Sequence, residues 1–384
     1  MHKCMAPRLA NILTVPLLLA FIVFGGVKTA MAQNAYIPNK GSNNVTVIDT
    51  TTGSATATIS SVTSPWGVAV SPNGKKVYIT PFDGSINYPW LYVIDTSSNT
   101  VTNTINVGAN PFGVAVSPDG GKVYVANDAS QSVSVIDTTT NTVIATIPGI
   151  NGNPTGVAVS PDGSKVFVAT GSGVYMIVTA TNTVTPTSGT QSSPNYWPIV
   201  ATPDGTKVYA ASRNNGIVSV INAATNAVTG SITIGASPQA EAISPDGARL
   251  YVTNSDSNSV SVIDTAADTV VGTVSLANRP SGVSVTPDGT QLWVTNVNAN
   301  TVTVIDTSTN ALIATIPVGT IPVAFGQFIQ PMPAFAGKQG AANCHGASVS
   351  ALATKYNGLN NAAAVFGFSK VQGLQDAIRA FCGN

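Results

Sequence analysis

Glutamate and histidine are almost missing from this sequence. Glutamate occurs once, at Glu241, and the two histidines are His2 and His345. The three cysteines also lie near the ends, at positions 4, 344 and 382, so residues 33–329 contain neither histidine nor cysteine. Zinc sites, haem ligands and Ser-His-Asp triads need these residue types. We therefore expect none of them in that region, and no cofactor or metal is predicted.

Long apolar runs are also absent, except near the N-terminus. Lys3 and Arg8 precede an apolar stretch over about residues 12–26, and a small-x-small cleavage pattern follows at residues 30–32. The stretch is shorter than the ~20 residues of a membrane-spanning helix. We predict a signal peptide over residues 1–32 and an exported protein in the periplasm, outside the cell or on its surface. The mature chain would have no membrane span; an uncleaved anchor is the alternative.

Charge is scarce, since only 8% of the residues are charged. Without residues 1–32, 13 basic and 16 acidic residues remain, a net charge of −3. No basic block is present, and this weighs against nucleic-acid binding, which usually needs a positive surface.

One four-residue turn recurs six times. Ser-Pro-Asn-Gly starts at position 71, and Ser/Thr-Pro-Asp-Gly starts at 117, 160, 202, 244 and 286. The spacing settles near 42 residues, which is typical of propeller blades. Proline suits the second position of a type I turn, and glycine suits the left-handed position that leads into the next strand.

Alternating apolar and polar residues surround each turn and predict four short strands per repeat. In one repeat they are 113–117, 122–127, 133–137 and 142–147. The third strand can be counted seven times, starting at 45, 91, 133, 174, 218, 260 and 302. We therefore predict an all-β, seven-bladed β-propeller over residues 33–329. The N-terminal segment 35–39 is expected to pair with the C-terminal segment 321–326 and close the ring, which hides the sheet edges.

The repeat pattern stops after Phe328. Residues 330–343 are predicted to be a linker, because they are rich in proline, alanine and glycine. Residues 344–384 have helical periodicity and predict a small α-helical domain. Cys344 and Cys382 are expected to form a disulfide across it, since an exported chain with an even pair of cysteines favours one bridge. This domain would either attach the protein to a partner or stabilise the fold.

The segments YVAN, YVTN and WVTN (124–127, 251–254, 293–296), the VIDT strands and the SPDG turns resemble YVTN-type β-propeller repeat proteins. These are similar to YncE-like proteins and to archaeal surface-layer propellers. The resemblance covers about residues 34–330. It implies an exported propeller, often without a known activity, in a wider group that includes lactonase-like enzymes and the haem d1 propeller of nitrite reductases. It supports the fold more than any activity.

Five aspartates end third strands, at positions 49, 95, 137, 264 and 306. We expect each carboxylate to accept hydrogen bonds from its own turn, because blades four and five have Val178 and Asn222 at this position. Calcium binding is the alternative.

Glu241 replaces an apolar residue of an inner strand, since the equivalent positions hold valine or isoleucine. It is either a ligand group or general base in the central channel, or a buried carboxylate satisfied by the backbone or by Arg279. The loops that enter the inner strands bring further candidates to one mouth of the channel. They are Trp66, Phe112, Tyr196, Trp197, Gln239 and Arg279, joined from neighbouring loops by Phe82, Tyr88, Trp90 and Arg213.

Three functions follow from these residues. The first is a monomeric, non-catalytic binding or scaffold module for a protein, a glycan or a small ligand on its loop face. The second is a lactonase-like enzyme that uses Glu241, Arg213 and Arg279. The third, suggested by the YncE resemblance, is single-stranded nucleic-acid binding on an aromatic face. The lack of histidine favours the first.

Overall fold

The computed structural model describes residues 33–84, 88–190 and 195–331, together with the single residue 375. The predicted signal peptide, most of the linker, the helical domain and both cysteines of the predicted disulfide lie outside the described residues. In the described part up to residue 331 the chain forms 27 strands and no helix. In this part no helix therefore has the length and apolarity to cross a membrane.

Seven antiparallel sheets follow one another along the chain, and each is one blade of an all-β, seven-bladed propeller. Blade one contains Asn34–Asn39 (β1), Asn44–Asp49 (β2) and Ser54–Ile59 (β3). Blade two contains Pro65–Val70 (β4), Lys76–Pro81 (β5), Trp90–Asp95 (β6) and Thr100–Asn106 (β7). Blade three contains Pro111–Val116 (β8), Lys122–Asn127 (β9), Ser132–Asp137 (β10) and Thr142–Ile147 (β11).

The remaining blades repeat the same order. Blade four contains Pro154–Val159 (β12), Lys165–Thr170 (β13), Val174–Val178 (β14) and Thr183–Pro186 (β15). Blade five contains Tyr196–Ala201 (β16), Lys207–Ser212 (β17), Ile217–Asn222 (β18) and Ala227–Thr233 (β19). Blade six contains Pro238–Ile243 (β20), Arg249–Asn254 (β21), Ser259–Asp264 (β22) and Thr269–Ser275 (β23). Blade seven contains Pro280–Val285 (β24), Gln291–Asn296 (β25), Thr301–Asp306 (β26) and Leu312–Pro317 (β27).

The recurring turns have the expected geometry. The glycines of all six copies have φ between 69° and 74°, in the left-handed region. In blade three the Ser117 hydroxyl donates to the Asp119 carboxylate, which also accepts from the amide of Gly121. The turn thus satisfies its own polar groups and sets the register between first and second strands.

Asparagine at the end of several second strands ties that strand to the third. Asn127 is fully buried, and its side-chain amide donates to the hydroxyls of Ser132 and Ser134 at 3.2 and 2.9 Å. Its carbonyl accepts from the amide of Gly108. The repeated aromatic-Val-x-Asn segment therefore has a structural role in the blade.

The ring closes between its first and last segments. The amide of Val323 donates to the carbonyl of Pro38, and the amide of Tyr36 donates to the carbonyl of Phe328. The amide of Gln330 donates to the carbonyl of Asn34, so the pairing extends beyond the predicted segment 321–326. Residues 320–330 are irregular and take the place of an inner strand, so blade one is assigned only three regular strands.

The core lies within and between the blades. Apolar side chains of second and third strands are mostly buried, whereas the outermost strands expose most of their residues. The first strand of each of blades three to seven pairs on one side only, and its other edge faces the central channel, whereas β4 also bonds to Phe325 of the closing segment. Neighbouring first strands pack closely around this channel.

Candidate functional site

Strand order places two kinds of loop at one end of the propeller. The connections between blades and the loops between second and third strands lie at this end, which we call the loop face. The Pro-Asp-Gly turns lie at the opposite end, the turn face. Seven of the candidates belong to the loop face or to the inner strands that start there: Trp66, Phe112, Trp197, Arg213, Gln239, Glu241 and Arg279.

Five aromatic rings form one cluster at the loop-face mouth of the channel, and we call it the aromatic cluster: Trp66, Phe82, Phe112, Trp197 and Phe325. The Phe112 ring is its centre, with ring centroids 5.4 Å from Trp66, 5.1 Å from Trp197 and 5.0 Å from Phe325. Phe112 is buried, whereas Trp66 and Trp197 remain partly exposed. The edge-to-face arrangement is a favourable one for aromatic side chains. The cluster thus offers an apolar surface to a ligand.

Two cationic side chains border the aromatic cluster, and a third, Arg279, belongs to the same loop face. The guanidinium carbon of Arg213 lies 4.0 Å from the centroid of Trp197, and the Lys40 ammonium lies 5.0 Å from that of Trp66. Arg213 and Arg279 stand on either side of blade six, where their Nε atoms donate to Ser237 and Ser255. Within the described residues none of the three cations forms a salt bridge.

The two arginines influence each other. Partial burial lowers the pKa of Arg213, Asp256 opposes this change, and the positive charge of Arg279 lowers the pKa further. Two guanidinium groups that repel each other are stabilised by an anion bound between or above them. Arg279 itself is exposed and open to solvent.

Three of the aromatic residues expected at the mouth are placed elsewhere. Tyr196 is fully buried, and its hydroxyl shares a 2.6 Å hydrogen bond with Ser219, so the expectation of a rim position was wrong. Tyr88 and Trp90 pack against each other at 5.5 Å. The Trp90 indole donates to the Tyr92 hydroxyl on its own strand. They form a separate pair rather than part of the aromatic cluster.

Blade six supplies the polar side of the channel. Gln239 and Glu241 both lie on β20, and Glu241 lines the channel cavity. Elsewhere the position of Glu241 is held by valine, isoleucine or phenylalanine: Val68, Val114, Val157, Ile199, Val283 and Phe325. Gln239 is 7% exposed, and its Nε2 has no hydrogen-bond partner among the described residues. One strand therefore presents unsatisfied polar groups in an otherwise apolar channel.

The Glu241 carboxylate is buried without a partner. Both oxygens are inaccessible to solvent, and neither has a hydrogen-bond partner within the described part of the chain. The side chain borders a channel cavity of about 40 Å³ whose other walls include Val114, Ile199 and Phe325. Burial raises the pKa of Glu241 well above its ordinary value. Among the described residues neither the backbone nor Arg279 satisfies this carboxylate, which disfavours the alternative of a satisfied core glutamate.

Lys40 and Phe325 are site residues that the sequence analysis missed. Lys40 follows the second strand of blade one, the same place that Arg213 has in blade five. Phe325 occupies the closing segment at the position equivalent to Glu241. Alignment of the incomplete first repeat with the complete ones would have indicated both.

The repeated aspartates have the structural role that was expected. The Asp137 carboxylate accepts from the amides of Thr139 and Thr140, both at 2.9 Å. Equivalent pairs of hydrogen bonds occur at Asp49, Asp95, Asp264 and Asp306, and Asn222 makes them in blade five. Among the described residues no three metal-ligating side chains come together.

Comparison with known proteins gives a domain match and a fold. A family model described as a domain of unknown function (DUF5074) matches residues 23–203, slightly less than half of the chain. No curated protein matches the chain.

Solved propellers resemble most of the chain. Hydrazine synthase from Kuenenia stuttgartiensis is 24% identical with a TM-score of 0.62, over 71% of this chain and 92% of that one. A functionally unknown protein from Desulfotomaculum acetoxidans is 15% identical with a TM-score of 0.65, over 77% and 100%. Dihydro-heme d1 dehydrogenase NirN, solved in complex with DHE, is 16% identical with a TM-score of 0.57, over 75% and 74%. These likenesses show a seven-bladed β-propeller fold and carry no activity with them.

Proposed function

We propose that this chain is an exported binding module whose site is the loop-face mouth of the channel. Its ligand would carry an anionic group, a carboxylate or a phosphate, on a planar or apolar body. The observation that supports this best is the position of Arg213, stacked on the partly exposed Trp197 on the face that also carries Arg279.

The anionic part of the proposal rests on the arginines. A guanidinium presents several donors in a fixed plane and binds carboxylate or phosphate through two of them at once. Arg213 and Arg279 each donate from Nε to a serine hydroxyl at 3.3 Å, which helps to position the guanidinium at the loop face. An anion would also relieve their repulsion.

The apolar part rests on the aromatic cluster. Trp66 and Trp197 lie 6.3 Å apart, and each keeps part of its ring accessible. Ligand sites commonly combine such apolar walls with a few fixed polar groups. Gln239, whose buried Nε2 has no partner among the described residues, would supply a further donor.

The charges of the loop face favour a small anion over an extended polyanion. The loops that carry Lys40 and Arg213 in blades one and five carry Asp83, Asp128 and Asp256 in blades two, three and six. A ligand with one anionic group can lie over the arginines alone. A nucleic-acid strand crossing the face would meet carboxylates as well, which opposes the single-stranded nucleic-acid alternative.

One observation favours a second candidate, an enzyme with its site in the channel. The buried, unpartnered Glu241 has the raised pKa that suits a general acid. We place this candidate second because a cavity of about 40 Å³ has room for a few waters and not for a substrate.

Intrinsic fluorescence can test the proposed binding, because Trp66 and Trp197 belong to the site. We would titrate the protein with benzoate, phenyl phosphate, benzamide, cellobiose and a short oligothymidylate. The anionic aromatics should change the fluorescence and bind at least about tenfold more tightly than neutral benzamide. The double variant Arg213→Gln/Arg279→Gln should lose this preference, whereas Lys75→Gln, an exposed cation of the turn face, should keep it.

Other outcomes would contradict the proposal. Equal binding of benzoate and benzamide, unchanged in the double variant, would exclude the arginine site. Tight, salt-sensitive binding of oligothymidylate would support the nucleic-acid alternative instead. Turnover of an ester or lactone that is lost in Glu241→Gln would support the enzyme.

A further inference from the structure

The cavity beside Glu241 adjoins the aromatic cluster, with which it shares Phe325, and contains neither arginine. It is a partly open part of the channel, bordered by Gly113, Gly156, Pro198 and Gly326 as well as by apolar side chains. Glu241 supplies its ionisable side chain. A volume of about 40 Å³ is enough for about three waters, or for one ion with a water.

A carboxylate in this position needs a partner. An unpaired buried charge is far more costly than a paired one, and both oxygens of Glu241 lack any donor within the described residues. Protonation removes the charge, but the resulting acid still has two oxygens and a proton without hydrogen bonds in the apolar wall. A bound cation supplies the opposite charge and a contact at the same time.

The channel also offers backbone oxygens. The first strands β8, β12, β16 and β20 pair on one side only, so their free edges toward the channel carry amide and carbonyl groups outside the sheet ladder. Carbonyl and carboxylate oxygens are the ligands that hard cations prefer. The single negative charge of Glu241 matches a single positive charge, since no other carboxylate borders the cavity.

We propose that the Glu241 cavity binds a singly charged cation, which is either an alkali ion or a small ammonium group. The carboxylate of Glu241 would be the charged ligand, and the free edges of the inner strands would complete the coordination. The site would stabilise the ring from its centre. This inference stands independently of the ligand proposed for the loop face.

The size of the cavity determines which cations the site can bind. Sodium, potassium and ammonium ions are about the size of a water molecule and fit a space of about 40 Å³. Choline carries three N-methyl groups on its charged nitrogen, which keep that charge away from the Glu241 carboxylate. Choline chloride is therefore a matched salt of the same ionic strength whose cation cannot make the same ion pair.

Proton and cation should compete for the same carboxylate. Without a cation, the raised pKa of Glu241 means that the folded protein binds a proton more strongly than the unfolded chain, so stability decreases as pH rises above the ordinary glutamate pKa. The nearest titratable groups on the adjoining strands β17 and β21 are Tyr209 and Tyr251. Burial raises the pKa of both tyrosines, so they stay neutral up to about pH 9.

Thermal unfolding in different chloride salts tests the site. We would compare sodium, potassium, ammonium, methylammonium and choline chlorides at equal ionic strength, at about pH 5 and about pH 9. At the higher pH, at least one of the small cations should raise the Tm by roughly 2 °C or more over choline, and this difference should shrink at the lower pH. A Tm increase in sodium or potassium chloride would identify an alkali ion as the ligand, and an increase in ammonium or methylammonium chloride alone would identify an ammonium group.

Two variants complete the test. Glu241→Gln keeps the side-chain size and removes the charge, so it should unfold at the same temperature in all the salts. Asp256→Asn removes an exposed carboxylate of the loop face and should keep the wild-type dependence. Rubidium soaked into crystals should give an anomalous peak in the cavity of the wild type only.

Several results would overturn the proposal. Equal Tm values of the wild type in all five salts, or a salt effect that persists in Glu241→Gln, would exclude the cation. An empty cavity in the rubidium data, with stability that depends on pH alone, would show that Glu241 is held as a neutral acid. Loss of loop-face binding with an intact cation effect would reject the proposed function and leave this site unaffected.

Discussion

At the scale of single residues, the repeated segments use buried polar side chains to join neighbouring strands. Asn127 shows this most clearly, because its side chain joins β9, β10 and the connection that follows blade two. Its aliphatic neighbours contribute buried apolar area, whereas the hydrogen bonds of the asparagine help to determine which strands pair. The side-chain amides of Asn254 and Asn296 make the same donation to the third strand of their blades, which explains why the residue recurs without any role in a site.

We predict that Asn127→Ala destabilises the protein by about 2–3 kcal/mol. The change leaves two serine hydroxyls and one backbone amide without a partner in a buried place, and unsatisfied buried groups are costly. Urea unfolding followed by circular dichroism measures the effect. Asn298→Ala is the control, since Asn298 is exposed and should change the stability by less than about 0.5 kcal/mol. Equal effects of the two variants would show that the asparagine network contributes little.

At the scale of elements, the packing of the innermost strands depends on small residues. Gly67, Gly113, Gly156 and Gly282 occupy the same position of their first strands. At Gly113 an added Cβ would overlap the carbonyl oxygen of Thr155 in the next blade. The absence of a side chain therefore lets neighbouring first strands approach each other around the channel.

Gly113→Ala is expected to destabilise the fold by about 2–4 kcal/mol, because backbone atoms of two blades would have to separate. Gly230→Ala in the outermost strand β19 is the matched control: the nearest atoms to its added Cβ lie 3.9 Å away, on Val220. This control should be neutral or slightly stabilising. Differential scanning calorimetry of both variants decides the matter, and an unchanged Tm for Gly113→Ala would contradict the close packing.

The elements could be predicted from the sequence because their signals are local. Turn residues and strand alternation recur about every 42 residues, and the structure confirms the strands and six turns. Contacts between blades were harder to predict. Tyr196 occupies the place that Pro111 has in blade three, and only alignment of the inner strands shows that it points into the core rather than to the rim. The lack of a partner for Glu241 depends on its neighbours in space, which one sequence does not display.

At the scale of the whole molecule, the ring depends on an irregular segment that replaces a regular strand. Residues 321–330 form backbone hydrogen bonds with β1, and each of the two segments supplies both donors and acceptors. Phe325 contributes both to this closure and to the aromatic cluster. Closure and site are therefore coupled, since the same segment forms one wall of the Glu241 cavity. A substitution that weakens the closure should therefore also alter the aromatic cluster at the channel mouth.

Phe328→Ala tests how much the closure contributes. Phe328 is fully buried, and its carbonyl accepts the Tyr36 amide, so a cavity here should cost about 3–5 kcal/mol. Leu312→Ala, on the exposed outer strand β27, removes a side chain that is 55% exposed and should cost less than about 1 kcal/mol. Hydrogen exchange then separates two explanations. If the ring opens at this seam, the amides of Tyr36 and Val323 will exchange at free energies below that of global unfolding. If they exchange together with the other blades, Phe328 stabilises the whole propeller and the seam is as strong as any other blade interface.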